Sequence, residues 1–246
     1  MSHSPADLPD FQPAGNQGAH PDLYELENLA FDRAGLVLSA MRALAPWAGR
    51  DLLDLGCGSG FWLPGYADEA STVTGVEPDP TLLPLAAARD DRVRVLRGSA
   101  EHLPLTNACM DVVHARFAYF FPPGCAAGLR EVRRVLRPGG ALVVVDNDQR
   151  RGEFADLLAG SPWAAAQGQA DVTDAWWAEQ GASRTEVMSS WRFDRRGDLE
   201  AVLRLEFPIE IADAWLARHP RALGLSYGYV LFCAQVPLPE QVIRST

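Results

Sequence analysis

Two kinds of hydrophobic pattern alternate along the chain between residues 36 and 148. One is a short, mostly apolar run of strand length, and the other is a longer segment with apolar residues on one helical face. The strand-like runs are DLLDL, TVTGVE, RVRVLRG, MDVVHAR and ALVVVD, and the helical segments include GLVLSAMRALAPW, TLLPLAAARD and GLREVRRVL. Strands that alternate with helices indicate a parallel sheet covered on both faces. We therefore predict an α/β fold with a doubly wound, Rossmann-like sheet.

The pattern changes after residue 148. Residues 149–181 are rich in tryptophan and helical or irregular, and more helix follows around DLEAVLRLEF and up to residue 219. Two further strand-like runs, RTEVMSSWRFD and SYGYVLFCAQV, lie among these segments. We predict an N-terminal extension or cap over residues 1–35 and a single domain over residues 36–246. Insertions at about 149–181 and 206–222 would form a lid together with the cap.

The charged residues exclude several classes of protein. The formal net charge is −10, the sequence pI is about 4.9, and no arginine-rich cluster is present. A protein that grips nucleic acid needs a basic face to neutralise phosphates, so we expect no nucleic-acid partner. All 22 basic residues are arginine, which removes the lysine of a P-loop ATPase and the Schiff-base lysine of a pyridoxal enzyme. A small-molecule substrate, or a protein partner that tolerates an acidic surface, is the remaining expectation.

Cysteine usage and hydropathy indicate the compartment. The four cysteines form no CxxC pair, so the sequence predicts neither a metal site nor a disulfide framework. The first twenty residues have no basic start and no apolar run, and no later stretch reaches the roughly 18 apolar residues of a membrane span. We predict a cytoplasmic protein that does not interact with membranes, and the sequence leaves its oligomeric state open.

Three glycines at alternate positions follow the first strand-like run, in DLLDLGCGSG. In parallel sheets, the loop between a strand and the next helix is where ligands bind, and glycine lets backbone amides approach a ligand closely. The spacing is GxGxG, and Phe61 stands where the usual dinucleotide-binding pattern has its third glycine. The loop therefore predicts a ligand site that departs from that pattern by one residue, and a simple tight turn is the alternative.

Glu77 ends the next strand-like run, 21 positions after Gly56. A carboxylate at the tip of the second strand can accept hydrogen bonds from the two hydroxyls of a ribose bound over the glycine loop. A solvent-facing acid at a strand end is the alternative. Asp54, the glycine loop and Glu77 together favour a ligand that contains a nucleoside.

Five motifs in order over about residues 50–148 give the chain a specific resemblance. They are DLLDLGCGSG, GVEPD, GSAEHLPL, DVVHARFAYFF and LRPGGALVVVD. With them the sequence resembles the class I S-adenosylmethionine-dependent methyltransferases. The resemblance implies a seven-stranded sheet, mostly parallel with an antiparallel last strand, in which RTEVMSSWRFD and SYGYVLFCAQV form the closing hairpin.

The resemblance also implies which residues bind S-adenosyl-L-methionine, whose product is S-adenosyl-L-homocysteine. Asp54 would order the glycine loop, the loop backbone would lie along the methionine part, and Glu77 would hold the ribose. The implied cofactor-binding residues are Asp54, Gly56, Cys57, Gly58, Gly60, Glu77, Pro78, Asp79, Ser99, Ala100, Glu101, Arg116 and Phe117. Of these, residues 78–79 and 99–101 would border the adenine, and residues 116–117 would lie near the methyl group.

Aromatic residues and two N-terminal residues supply candidates for the substrate site. Rings after the fourth strand could favour a sulfonium by cation–π attraction, or they could simply pack in the core. Tyr24, Glu27 and Asn28 stand at helical spacing and could face the cofactor or could be structural. The candidate substrate-binding residues are Tyr24, Asn28, Tyr119, Phe120 and Trp176.

A hydroxyl or ammonium acceptor would need a general base, for which histidine is suited near neutral pH. The candidate is His114 within the fourth strand, and a purely structural role is the alternative. The sequence thus predicts a methyltransferase that acts on an unidentified small molecule. A nicotinamide-dependent oxidoreductase and a non-catalytic, cofactor-binding scaffold remain as alternatives.

Overall fold

A seven-stranded sheet forms the centre of the computed structural model, which describes residues 8, 11, 19–162 and 170–237. The strand order is β3-β2-β1-β4-β5-β7-β6. The strands are β1 (Asp51–Leu55), β2 (Thr72–Glu77), β3 (Val93–Arg97), β4 (Met110–Arg116), β5 (Leu136–Asn147), β6 (Ser183–Arg192) and β7 (Gly224–Gln235). The first five strands are mutually parallel, and β7 runs antiparallel to both β5 and β6. The predicted fold class, the antiparallel last strand and the closing hairpin are confirmed.

Helices cover both faces of the sheet. In the described part of the chain they are α1 (Pro21–Ala30), α2 (Leu36–Leu44), α3 (Leu63–Ala67), α4 (Leu83–Ala87), α5 (Ala126–Val135), α6 (Glu153–Ala159), α7 (Ala170–Glu179), α8 (Arg196–Glu206) and α9 (Ile209–Arg218). The predicted cap falls partly on residues outside the described ones, as do residues 163–169 of the first predicted insertion and residues 238–246 of the predicted domain. No helix within the described ranges is long and apolar enough to cross a membrane.

Neighbouring residues of each central strand pack into different cores. Leu52 of β1 and Val112 of β4 belong to the core beneath α2, α6, α8 and α9, whereas Leu53 and Val113 belong to the core beneath α5 and α7. Successive side chains of a strand point to opposite faces, so a strand buried on both sides is apolar throughout. This explains why the central strands appear in the sequence as continuous apolar runs.

The N-terminal helix is held against the sheet by a buried aspartate. Asp32, which follows α1, accepts hydrogen bonds from the backbone N–H groups of Leu36, Val37 and Leu38 at 3.0, 2.8 and 3.3 Å. The hydroxyl of Ser189 on β6 donates to the same carboxylate at 2.6 Å. The carboxylate thereby caps α2 and joins the N-terminal segment to the edge of the sheet.

Candidate functional site

The glycine loop follows β1 in a conformation that needs glycine for structural reasons as well. Gly56, Gly58 and Gly60 have φ angles of +73°, +57° and +77°. A Cβ on Gly56 would lie 2.5 Å from the Cβ of Ala118, and one on Gly60 would lie 2.7 Å from the Cα of Ala86. At these two positions the fold itself excludes a side chain, whatever ligand the loop binds.

The Glu77 carboxylate lies buried beside this loop at the end of β2, with 5% of the residue exposed. Its Oε2 accepts a hydrogen bond from the Gly58 N–H at 2.8 Å, and its Oε1 accepts one from the Asp79 N–H at 2.9 Å. Burial raises the pKa of Glu77, against the effect of the two N–H donors. Glu77 is therefore not a solvated strand-end acid, and each oxygen still has a lone pair for a further donor.

Asp54 and Arg116 form a buried ion pair where β1 and β4 end. The Arg116 Nη2 donates to the Asp54 Oδ2 at 3.0 Å, and the two side chains are 10% and 1% exposed. The guanidinium also lies over the Trp62 ring, 4.7 Å from its centroid. Asp54 Oδ1 and Arg116 Nε are buried without a hydrogen-bond partner among the described residues. This acceptor and this donor thus remain for another group.

A cavity of about 340 Å³ starts at the glycine loop and extends between α1, α6, α8 and the ends of β4 to β7. It brings together six of the residues predicted to bind cofactor or substrate, which are Tyr24, Asn28, Gly56, Cys57, Arg116 and Phe117. Beyond the loop residues, the lining includes six aromatic side chains from several elements, namely Phe31, Phe117, Phe154, Trp191, Phe207 and Tyr227. Phe117 has a φ of +50°, a strained backbone conformation of the kind that clusters at functional sites.

Three carboxyl groups line the same cavity, from three different elements. They are Glu27 of α1, Asp146 of β5 and Glu206 at the end of α8. Burial, the charge of Glu206 and a hydrogen bond to its carboxyl group raise the pKa of Glu27 well above its usual range. Burial raises the pKa of Asp146 to about 6. The sequence patterns did not identify Asp146 or Glu206 as site residues. Asp146 nevertheless stands at the carboxyl end of a parallel strand, where ligands bind.

Comparison with known proteins identifies the part of the chain that carries this site. Residues 53–144 match the family described as "Methyltransferase domain". Residues 53–144 are therefore similar to a methyltransferase domain. The matched residues include the glycine loop, Glu77 and the ion pair of Asp54 with Arg116.

Similar proteins agree with this assignment for part of their length. A malonyl-[acyl-carrier protein] O-methyltransferase of Serratia marcescens is 31% identical over 124 residues, which cover 50% of this chain and 47% of that protein. A "Probable S-adenosylmethionine-dependent methyltransferase" of Mycolicibacterium smegmatis is 36% identical over 137 residues, 56% of this chain and 52% of that protein. The chain thus spans about half the length of the curated relatives it matches.

The fold is shared more widely. The crystal structure of a SAM-dependent methyltransferase from Aquifex aeolicus superposes with a TM-score of 0.54 at 15% identity, covering 86% of this chain and 97% of that one. At this level of identity the likeness concerns the architecture alone. The methyltransferase domain and its flanking elements together adopt the seven-stranded arrangement.

The residues predicted to border an adenine, 78–79 and 99–101, are not among those that line the cavity. Asp79 accepts hydrogen bonds from the N–H and hydroxyl of Thr81 at 2.8 and 2.7 Å. Ser99 is buried, and its Oγ has no hydrogen-bond partner among the described residues. Ala100 is buried beside it, Pro78 is half-buried next to Asp79, and Glu101 accepts a hydrogen bond from the Tyr119 hydroxyl at 2.8 Å.

Three of the predicted substrate residues lie elsewhere in the methyltransferase fold. The Tyr119 hydroxyl bridges Glu101 and the Gly128 N–H, which donates to it at 3.0 Å. Phe120 is 1% exposed and packs on Trp177, and Trp176 packs on the same ring. All three side chains belong to the core beneath α5 and α7, on the opposite face of the sheet from the aromatic part of the cavity. These three residues are not among those that line the cavity, and their assignment to the substrate site stays a prediction.

His114 is not part of the cavity either. It is fully buried on β4, with its ring centroid 5.1 Å from the rings of both Trp47 and Tyr66. Neither ring nitrogen has a hydrogen-bond partner in the described structure, and burial lowers the pKa of His114 to about 3. An imidazole in this position is neutral and packed among rings, which gives it no contact with an acceptor in the cavity. The described residues also contain no group of His, Cys, Asp and Glu arranged to hold a metal ion.

Proposed function

We propose that this protein is an S-adenosylmethionine-dependent methyltransferase that acts on a small-molecule acceptor. The observation that carries the proposal is the buried Glu77 carboxylate, hydrogen-bonded to the glycine loop inside a methyltransferase domain. A buried carboxylate with free lone pairs is costly unless further donors reach it. The two hydroxyls of a ribose are donors of that kind.

The remaining polar atoms of the site fit the other parts of the cofactor. Ser99 Oγ, which is buried and unpartnered among the described residues, supports contact with an adenine edge, together with Ala100 and Glu101. Pro78 and Asp79 would border the same base. The match between these atoms and the cofactor supports the sequence-based assignment of the adenine side.

On the methionine side, the proposal uses the ion pair and the loop. Asp54 Oδ1 is an acceptor for an ammonium group, and Arg116 Nε is a donor for a carboxylate. The backbone at Gly56 and Cys57 faces the cavity and would lie along the methionine chain. Because Asp54 already neutralises much of the charge of Arg116, the pair can hold a zwitterion without leaving an uncompensated buried charge.

The chain contributes to the chemistry by aligning the reacting groups in a cavity lined with aromatic side chains. When bound, the cofactor supplies a methyl group on a positively charged sulfur. Phe117 and Trp62 line the cavity near the ion pair, where their rings exclude water and stabilise positive charge. A cavity of about 340 Å³ holds a small molecule, which supports an acceptor of that size.

Two measurements test the proposal. Saturating S-adenosylmethionine or S-adenosylhomocysteine should raise the melting temperature, because a ligand at 100 times its Kd stabilises the folded state by about 2.7 kcal/mol. Incubation of the enzyme with a metabolite extract and methyl-labelled cofactor should give a labelled product by mass spectrometry. Stabilisation by NADH alone would indicate the oxidoreductase, and cofactor binding without any labelled product would indicate the scaffold.

A further inference from the structure

One end of the cavity, formed by Glu27, Asp146, Glu206, Phe154, Trp191 and Tyr227, combines carboxyl groups with aromatic rings. We propose that this end binds the protonated amino group of the acceptor, so that the substrate is an amine with an apolar or aromatic body. This inference rests on the proposed methyltransferase function and names the substrate class of the same cavity. Four observations support it.

The first observation is an unsatisfied oxygen on Glu27. Glu27 Oε2 is buried and has no hydrogen-bond partner among the described residues, although the side chain lines the cavity. A buried acceptor without a donor costs free energy. An ammonium group, which carries up to three N–H donors, would satisfy this oxygen from the cavity.

The second observation is that the carboxyl groups lie near one another. Glu27 and Glu206 are hydrogen-bonded to each other, which requires a proton between them. Burial, followed by the charges of Tyr229, Glu27, Glu206 and Asp146, raises the pKa of Tyr227. All three carboxyl groups therefore act electrostatically on the Tyr227 phenol, which donates its own hydrogen bond to the Asn147 side chain. A cation placed there would meet several acceptors at once.

The third observation is the charge balance of the cavity walls. Among the lining residues that the structure describes, Arg116 is the one basic side chain, and Asp54 engages it at 3.0 Å. No further basic side chain stands among these lining residues to balance Glu27 and Asp146. An anionic acceptor would be repelled by these groups, and a neutral alcohol would leave their charge unbalanced.

The fourth observation is the arrangement of rings around the carboxyl groups. Phe154 and Tyr227 are stacked with centroids 3.7 Å apart, and Trp191 meets each of them edge-on at 5.2 and 5.3 Å. Aromatic rings next to carboxylates are the usual recognition element for alkylammonium groups. The same rings provide apolar surface for the body of the amine, so the pocket suits an amine attached to a hydrophobic group.

Calorimetric titration with matched probes tests the inference. The probes are 2-phenylethylamine against 2-phenylethanol and hexylamine against hexan-1-ol, each titrated at neutral pH in the presence of S-adenosylhomocysteine. We expect at least one amine to bind roughly tenfold or more tightly than its alcohol, as charge-assisted hydrogen bonds would give. Equal affinities in both pairs, or no amine binding at millimolar concentration, would overturn the inference.

Substitutions of the cavity carboxyl groups test where the amine binds. Glu27→Gln and Asp146→Asn should each reduce the preference for the amine, while Glu210→Gln, an exposed acid at the start of α9, should leave it unchanged. If all three variants retain the preference, the amine binds elsewhere and the inference fails. Titration of S-adenosylhomocysteine alone tests the proposed function separately. If that ligand does not bind, the amine–alcohol comparison made without it still decides the present inference.

Discussion

At the scale of single residues, contacts formed within the fold explain side chains that the sequence associates with a ligand. Gly58 and Glu77 are 19 positions apart, and a hydrogen bond of 2.8 Å joins them. Gly56 and Gly60 are excluded from carrying a side chain by Ala118 and Ala86. The sequence motif therefore reflects the geometry of the loop as well as a predicted ligand contact. Substitutions at different positions of the loop can test the two separately.

Gly60→Ala tests the structural requirement. A Cβ would lie 2.7 Å from the Ala86 Cα at a φ of +77°, so we expect a loss of about 1–3 kcal/mol in the free energy of unfolding. Gly65→Ala is the matched control, because it adds the same methyl group where nothing lies within 4 Å, inside α3. There alanine should be neutral or stabilising by up to about 1 kcal/mol. Equal urea midpoints for the two variants would contradict this explanation.

The pH dependence of stability tests the environment of Asp146. Its folded-state pKa is raised from 3.8 to about 6 by burial, so the folded protein binds the proton more tightly than the unfolded chain. The resulting loss in the free energy of unfolding is absent below pH 3.8 and develops as pH rises towards about 6. Asp146→Asn should therefore stabilise the protein by about 1–3 kcal/mol at pH 8 relative to wild type, and change little at low pH. Thermal unfolding of both proteins over a pH series checks this. An equal difference in stability between variant and wild type at pH 8 and at low pH would show that Asp146 is not desolvated.

At the scale of elements, the strands and the closing hairpin could be predicted because their signals are local. DLLDL, TVTGVE and MDVVHAR are buried on both faces, and the two strand-like runs near the C-terminus pair as expected. The acidic end of the cavity could not be predicted, because Glu27, Asp146 and Glu206 come from three elements without a common spacing. The rings of Tyr119 and Phe120 were ambiguous in sequence for a related reason: position after a strand does not determine which face a side chain takes.

Asp32→Ala tests how the N-terminal helix is fixed over the cavity. The buried carboxylate accepts hydrogen bonds from the first turn of α2 and from Ser189, so its loss leaves several donors unpaired. We expect a destabilisation of about 1–3 kcal/mol and faster amide hydrogen exchange in α1 and α2. Asp194→Ala removes an exposed partner of Arg33 and should leave the stability close to that of the wild type. Unchanged exchange in the Asp32 variant would mean that other contacts hold the helix.

At the scale of the whole molecule, the same fold accommodates many acceptors, so the architecture alone does not identify the substrate. The methyltransferase domain supplies the glycine loop, Glu77 and the ion pair, while α1, α6, α8 and the closing hairpin supply the rest of the cavity. The proposed cofactor site is formed by motifs within about a hundred residues of sequence. The proposed acceptor site depends on how distant segments meet, which is visible only in three dimensions.

The affinity of the cofactor for the wild type and for Glu77 variants tests the proposed ribose contact most directly. We predict that S-adenosylhomocysteine binds the wild-type protein in a calorimetric titration. Glu77→Ala should weaken this binding by about 1.5–3 kcal/mol, roughly ten- to 150-fold, because the ribose hydroxyls lose a charged acceptor. Glu77→Gln keeps one acceptor oxygen for the loop, so its affinity should lie between those of the wild type and Glu77→Ala. Far-ultraviolet circular dichroism should confirm that both variants are folded. Failure of the wild type to bind, or affinities of wild type and folded Glu77→Ala within about twofold of each other, would contradict the central claim.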